Sequence, residues 1–289
     1  MKKKMKVLVT GGSGLLGRNV VPLLKQFCEV KQYDTHEPED PETVWIRGDV
    51  RDPFRVEEAM EGMDAVVHMA GLHGPHWKAA GDMETFEVNV SGTKNVVLSA
   101  AQAGVDTLVF TSSRAAYGNR GEAPYLPLDE DAGPGADDLY GLTNLLAEDI
   151  CSYATRTYGM GTFCLRCGML VSSHIQPQKR GALLCGAVDV RDAALAHALA
   201  VKTGAKGVHE VINISAETPF TRANPEEAAM DPEAVLEELM PGTRELIDDE
   251  RFNIPRPFRY FSIEKAREIL GWEPEHNFSL DFYHTPAQA

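Results

Sequence analysis

The chain alternates between short apolar runs and longer stretches in which apolar residues recur every three to four positions. Residues 6–10 (KVLVT) form a run too short for a helix and closed by glycines, which predicts a strand. Residues 15–27 then have helical spacing, with Pro22 inside them and a kink or adjusted turn expected there. The alternation continues with a strand at 30–34 (VKQYD), a helix at 53–62 and a strand at 64–71 (DAVVHMAG). A long helix follows at 85–104, ended by Gly104, and then a strand at 107–113 (TLVFTSS). An amphipathic helix at 140–158 and a strand at 161–170 (GTFCLRCGML) complete this half. Strands that alternate with helices pair in parallel, so the fold class is α/β with a doubly wound parallel sheet.

The second half is less regular. Residues 187–204 read as a helix with an acidic start, and 209–215 (HEVINIS) as a strand. Residues 216–260 carry many prolines and acids, which predicts a partly irregular lobe with one helix near 232–240. Residues 262–272 (SIEKAREILGW) read as a short helix capped by serine, and the last few residues as a loose tail. The expected division is residues 1–165 for the sheet domain and 166–289 for a smaller C-terminal lobe interleaved with it.

Charge and cysteines narrow the classes. A formal net charge of -15 disfavours a nucleic-acid or anionic membrane surface, so neither partner is expected. No stretch of about 18 apolar residues exists, so no transmembrane helix is expected. The basic start MKKKMK is not followed by a long apolar run, which argues against a signal peptide and for a cytoplasmic location. The five cysteines, 28, 151, 164, 167 and 185, are scattered. Cys164 and Cys167 form a CxxC in buried-strand sequence with no second pair, so no metal is expected and a reducing compartment fits.

The loop TGGSGLLG (10–17) sits between the first strand and first helix. It supplies Gly11, Gly14 and Gly17, with Ser13, Leu15 and Leu16 between them. Small residues let the backbone approach a pyrophosphate, which the free N–H groups of the helix start then hold. Asp34 ends the second strand, where a carboxylate bonds the ribose hydroxyls and repels a 2′-phosphate. Thr35 and His36 follow it and no arginine does, which favours NAD over NADP. A tight turn without a ligand is the alternative. Further along, YGLTN puts Tyr140 and Asn144 one turn apart on one helix face.

These motifs form an ordered set: TGGSGLLG, GDV (48–50), HMAG (68–71), NVSGTKNV (89–96), TSS (111–113) with AYG (116–118), YGLT (140–143), LR (165–166), VINIS (211–215) and LGWEP (270–274). The set spans nearly the whole chain and resembles the extended short-chain dehydrogenase/reductases, NAD-dependent sugar epimerases, dehydratases and dehydrogenases on a Rossmann sheet. The resemblance implies that Asp49 and Val50 contact the adenine and that Met69, Ala70 and Gly71 line the cofactor. It makes Asn89 a structural or cofactor-side residue. It also makes Ser113 the donor that orients the substrate oxygen, with Ser112 beside it, and Tyr140 the acid/base.

A phenol titrates near pH 10, and a neighbouring ammonium lowers that by roughly 1–3 units. The family places a lysine four residues after the tyrosine for this purpose. Here Asn144 stands there, able to bond a ribose hydroxyl but carrying no charge. Three explanations stay open: a lesion in a working enzyme, a cation supplied by Arg114, Lys179 or Arg180, or a protein that binds dinucleotide without turnover.

Nucleotide-sugar members read roughly LRxxNxYGP after the sixth strand, whereas this chain reads LRCGMLVSSH, with Met169 at the Asn position. The short segment that follows leaves little room for a nucleotide. The likeness is therefore closer to the uronate dehydrogenase branch, which oxidises free hexuronates, and it nominates Arg180 for a substrate carboxylate unless that residue is simply solvated. In GLHGPHW (71–77), His73, His76 and Trp77 read as a substrate lid, a structural loop or, less well, part of a metal site. The turn-rich loop 114–138 is a second lid candidate. A homodimer through the helices at 84–103 and 140–158 follows from resemblance alone, since core packing explains their spacing equally well. The expected function is an NAD-dependent oxidoreductase of a free sugar, sugar acid or small polyol. A nucleotide-sugar epimerase or dehydratase and a non-catalytic dinucleotide sensor or scaffold are the alternatives.

Overall fold

A computed structural model describes residues 4–118, 123, 125–172 and 177–284. The N-terminal lysines before position 4, residues 119–122 and 124 of the expected lid loop, residues 173–176 and the tail from 285 lie outside the described residues. The strands are β1 (Met5–Thr10), β2 (Cys28–Asp34), β3 (Val44–Arg47), β4 (Ala65–His68), β5 (Thr107–Ser113), β6 (Gly161–Cys167), β7 (Met169–Val171), β8 (Ala187–Asp189) and β9 (His209–Ile214). The helices are α1 (Gly17–Lys25), α2 (Pro53–Met60), α3 (Gly74–Ala80), α4 (Asp82–Phe86), α5 (Thr93–Gln102), α6 (Leu139–Tyr158), α7 (Val190–Thr203), α8 (Pro225–Met230), α9 (Pro232–Leu239), α10 (Thr243–Asp248), α11 (Glu264–Leu270) and α12 (Asp281–His284).

Seven strands form one parallel sheet in the order β3-β2-β1-β4-β5-β6-β9. The order reverses between β1 and β4, which opens a crevice beside the glycine loop, where ligands of such sheets bind. Both faces are covered, so the strands read as continuous apolar runs. Val7, Val9, Val67, Val109 and Leu165 pack under α1, α7 and α11, while Leu8, Val66, Leu108 and Cys164 pack under α2, α5 and α6. Period-two alternation thus sends neighbouring residues of one strand to two cores. It also parts the CxxC: Cys164 lies in one core and Cys167 in the other. Among the described residues no three His, Cys, Asp or Glu side chains cluster as metal ligands. No helix among them is long and apolar enough to cross a membrane.

Several elements depart from the sequence reading. The strand expected over 161–170 breaks at Gly168, where a Cβ would lie 2.1 Å from Gly186 O. Beyond the break, β7 pairs with β8 in a separate two-stranded sheet, so residues 187–189, read as helix, are strand. The long helix expected over 85–104 is α4, a π-helical turn over Glu87–Gly92, and α5. In the region read as partly irregular, α9 stands where the one helix near 232–240 was expected, and α8 and α10 are two further helices beside it. Two of its prolines are α-helix starts: Pro225 and Pro232 follow the capping side chains of Asn224 and Asp231. These helices gather around Phe220, Leu236, Phe252 and Tyr260, a third core distinct from the two beneath the sheet. Pro22 sits within α1 without ending it. β6 runs across position 165, and α7 and β9 return to the sheet after it.

Candidate active site

The glycine loop meets the crevice at the end of β1. Gly11 has φ +73°, and a Cβ on it would lie 2.6 Å from Ala70 N; a Cβ on Gly17 would lie 2.4 Å from Gly12 O. Both positions need glycine for close backbone packing. A Cβ on Gly14 would instead approach only Gly11 O, at 3.3 Å, so this glycine leaves space in front of α1. No side chain caps α1, which leaves its start to an outside anion. The Asp34 carboxylate accepts from Ser13 N–H (3.0 Å) and His36 N–H (2.9 Å), which fixes it beside the loop. Leu15 is exposed at the loop's mouth and Leu16 is buried beneath it. On the far side, Val50 packs under Gly92, while Asp49 is gripped by the Arg51 guanidinium, which holds its carboxyl below the usual range. These residues fit a dinucleotide: a pyrophosphate cradle, a ribose-facing carboxylate and a buried apolar wall.

His68 links this loop to the reaction end. It is fully buried between Thr10 Oγ1 (2.6 Å, Nδ1) and Thr93 Oγ1 (2.9 Å, Nε2). Thr93 donates its own proton to Asn89 O, so His68 carries hydrogen on Nε2 and accepts on Nδ1. Thr10 Oγ1 in turn accepts from Ala70 N–H. Burial pushes the His68 pKa down to about 3, which keeps the ring neutral. Half-buried Met69 packs against the α1-side core.

Asn89 occupies the π-helical turn. Its side chain accepts from Leu72 N–H (2.7 Å) and donates to Leu72 O (3.0 Å) and Thr143 Oγ1 (3.2 Å). A Cβ on Gly71 would lie 3.3 Å from Asn89 Oδ1. Asn89 therefore ties the segment after β4 to the first turn of α6. That turn is capped by Asp138, which accepts from Gly141 N–H at 2.7 Å. A Cβ on Gly141 would sit 2.4 Å from Ala115 O, so only glycine lets α6 press against the turn after β5. This contact brings Tyr140 to Ser113. Burial raises the Tyr140 pKa, while hydrogen bonding with Ser113 and Asn144 draws it back. The leading charge influences, Cys167 and Asp138, also raise it, and no cation is among them. Asn144 donates Nδ2–H to Tyr140 O (2.8 Å), a carbonyl that Thr143 Oγ1 also bonds. Arg114 instead donates to Cys185 O.

The segment read as a lid includes α3 and covers Tyr140. The Trp77 ring stacks on it with centroids 6.4 Å apart, and His73 lies 6.4 Å away on its other contact. Trp77 Nε1–H is held by Asp82 (2.8 Å). His76 contacts His73 rather than Tyr140. Two expected substrate residues have other partners. Ser112 is 2% exposed and donates to Glu148 (2.5 Å), which also receives Arg166 in a buried ion pair. Strand alternation turns Ser112 toward α6, on the face opposite its neighbours. Arg180 lies over the Phe282 ring at 4.0 Å. Gly141 and Thr143 were missed as positioning residues. Glycine within YGLT was the available signal for a close helix approach.

Residues 7–185 match the model of the NAD dependent epimerase/dehydratase family, and the chain belongs to that family. Its cofactor is NAD, as the family's description states. An L-arabinose 1-dehydrogenase (NAD(P)(+)) of Haloferax volcanii is 32% identical over 58% of this chain and 68% of its own length. A UDP-glucose 4-epimerase of Klebsiella pneumoniae is 34% identical over 42% of this chain and 99% of its own length. An uncharacterised protein 052L of Frog virus 3 is 39% identical over 39% of this chain, and the match spans only 34% of that relative's length. Among solved structures, a mutated uronate dehydrogenase superimposes with TM-score 0.71 at 17% identity, covering 99% of this chain and 88% of that one, a likeness of fold.

Proposed function

We propose that the protein is an NAD-dependent oxidoreductase of a free sugar, sugar acid or small polyol. The observation that carries this reading is the Ser113–Tyr140 pair at the carboxyl end of β5, brought together by Gly141. Ser113 holds the substrate oxygen by hydrogen bonding, and Tyr140 Oη takes the hydroxyl proton as the C–H bond breaks. NAD, when bound, supplies the hydride acceptor. Gly11, Gly14, Gly17 and Asp34 hold it, and Arg18, the cation beside Ser13, is paired with Glu39, so Asp34 sets the preference for NAD over NADP. Trp77 and His73 cover the reacting centre. The likeness to the arabinose dehydrogenase and the short segment between β7 and β8 support a free substrate.

The test is NADH formation over a panel of uronates, aldoses and polyols, with Asn144→Lys alongside. Calorimetry with NAD and NADP comes first, and absence of saturable NAD binding sinks the reading. Turnover by the Lys variant alone marks Asn144 as a lesion. Comparable turnover by both means that the phenol is activated without that charge. The likeness to the UDP-glucose 4-epimerase motivates a second reading, a nucleotide-sugar epimerase, which tight UDP-sugar binding would favour. Exposed Leu142 and Tyr153 lie three turns apart on one face of α6 and support pairing of two copies there; a monomer in sedimentation velocity excludes it.

A further inference from the structure

Arg114 follows Ser113 at the carboxyl end of β5 and opens the turn over Arg114–Tyr117. Its guanidinium donates from Nη1 to Cys185 O at 2.8 Å. Among the described residues this is its one hydrogen bond, and no carboxylate pairs with it. A guanidinium has five N–H donors, so most of this group's capacity is left for something else. Burial lowers its pKa; the Cys185 thiol opposes this, and the nearby Arg259 guanidinium acts in the same direction as burial. Arg259 reaches from the C-terminal lobe, is 8% exposed, and donates to Gly118 O at 2.7 Å.

A chain of close contacts links the neighbourhood of Tyr140 to Arg114. Cys167 is near enough to Tyr140 to act on its phenol. The next residue, Gly168, abuts Gly186 O, and a Cβ on Gly186 would lie 3.4 Å from Arg114 Nη1. Ser113 and Arg114 are consecutive, with Cα atoms about 3.8 Å apart.

We propose that Arg114 grips an oxyanion of the substrate, a carboxylate or phosphoryl group, while Ser113 holds the oxygen that reacts. The assignment rests on the oxidoreductase reading and narrows it to anionic substrates. A planar guanidinium with free parallel donors matches two oxygens of such a group. The same assignment explains why Arg114 does not replace the family's lysine: its charge is directed at substrate rather than at Tyr140.

Calorimetric titration of the whole protein with galacturonate, galactose and UDP-galactose, with and without NAD, tests this. Galacturonate is expected to bind at least about 30-fold more tightly than galactose, and Arg114→Gln to erase that difference. Arg114→Lys should keep part of it, and NAD binding by each variant reports its folding. If the difference survives Arg114→Gln in a variant that binds NAD, or if neither anionic ligand binds more tightly than galactose, the proposal is overturned. Arg114-dependent binding of UDP-galactose, without a gap between the two free sugars, upholds the anchor but removes the free-sugar reading. If the unaltered protein binds no NAD, the oxidoreductase reading falls, and the titrations without cofactor still decide the role of Arg114.

Discussion

Tyr140 sits among groups that all bear on its proton: Ser113 and Asn144 through hydrogen bonds, Trp77 and His73 by covering it. Burial favours the neutral phenol, and nothing cationic leads the opposing side. A base of this kind works best at high pH. The protein as written is therefore expected to gain kcat/KM steadily through the alkaline range. Asn144→Lys should move that limb down by about 1–3 pH units, because an adjacent ammonium favours the phenolate. A pH–rate profile whose limb stays in place after the substitution would show that Tyr140 is not the titrating base. Tyr140 and Asn144 could be paired in the sequence because their spacing is local, whereas Ser113 was picked out by the family resemblance. Ser112 could not be placed that way: adjacent hydroxyls in TSS look alike, and only the strand's alternation decides which one meets Glu148.

At the scale of elements, α6 makes a close approach to the turn after β5. Gly141→Ala would drive a Cβ into Ala115 O, 2.4 Å away. We expect a cost of about 1–3 kcal/mol in urea unfolding. A drop in kcat of about 100-fold should accompany it, since a displacement of about 1 Å at a reacting group has that effect. Wild-type kcat in this variant would detach the helix contact from catalysis. Deeper in, Glu148→Ala leaves the Arg166 guanidinium, 7% exposed, without its carboxylate. The expected loss is about 3–5 kcal/mol, read from the denaturation midpoint; a loss below about 1 kcal/mol would mean that Arg166 finds another partner or water. Elements with strong periodicity, such as β1, β5 and α6, could be read from the chain. β3, half exposed at the sheet edge, and β8, three residues long, could not be, because their strand character comes from their pairing partners. The helix near 232–240 was readable and is α9, whereas acidic and proline content masked the Asn224 cap of α8, and α10 follows Gly242 with no side-chain cap to read.

For the whole molecule, two buried histidines set the acid limit. Burial lowers the His68 pKa to about 3 and that of His197 to about 4, against an ordinary value of 6.5. The folded state thus binds fewer protons than the unfolded state between those values and 6.5. Stability is complete above pH 6.5 and falls as pH drops through the window, by about 1.4 kcal/mol per pH unit for each histidine while it lasts. Urea midpoints measured from pH 7 to pH 4 should decline accordingly. Replacing His197 by Asn should flatten the slope, and an unchanged slope would place the acid sensitivity elsewhere.

The sequence by itself determined the alternation of strands and helices, the parallel sheet, the glycine loop with Asp34, and the tyrosine–serine pair with its missing lysine. The tyrosine–serine pair and its missing lysine rest on the family resemblance; each of the others rests on short-range spacing or on one residue type that a local geometry demands. Only the tertiary structure decided that Asn89 joins the Leu72 backbone to α6, that Ser112 turns to a buried ion pair, and that Arg180 lies on Phe282. It also set Arg114 against Cys185, 71 residues away in the chain. Those outcomes depend on which surfaces the folded chain brings together, and side chains of the same type then go to different partners.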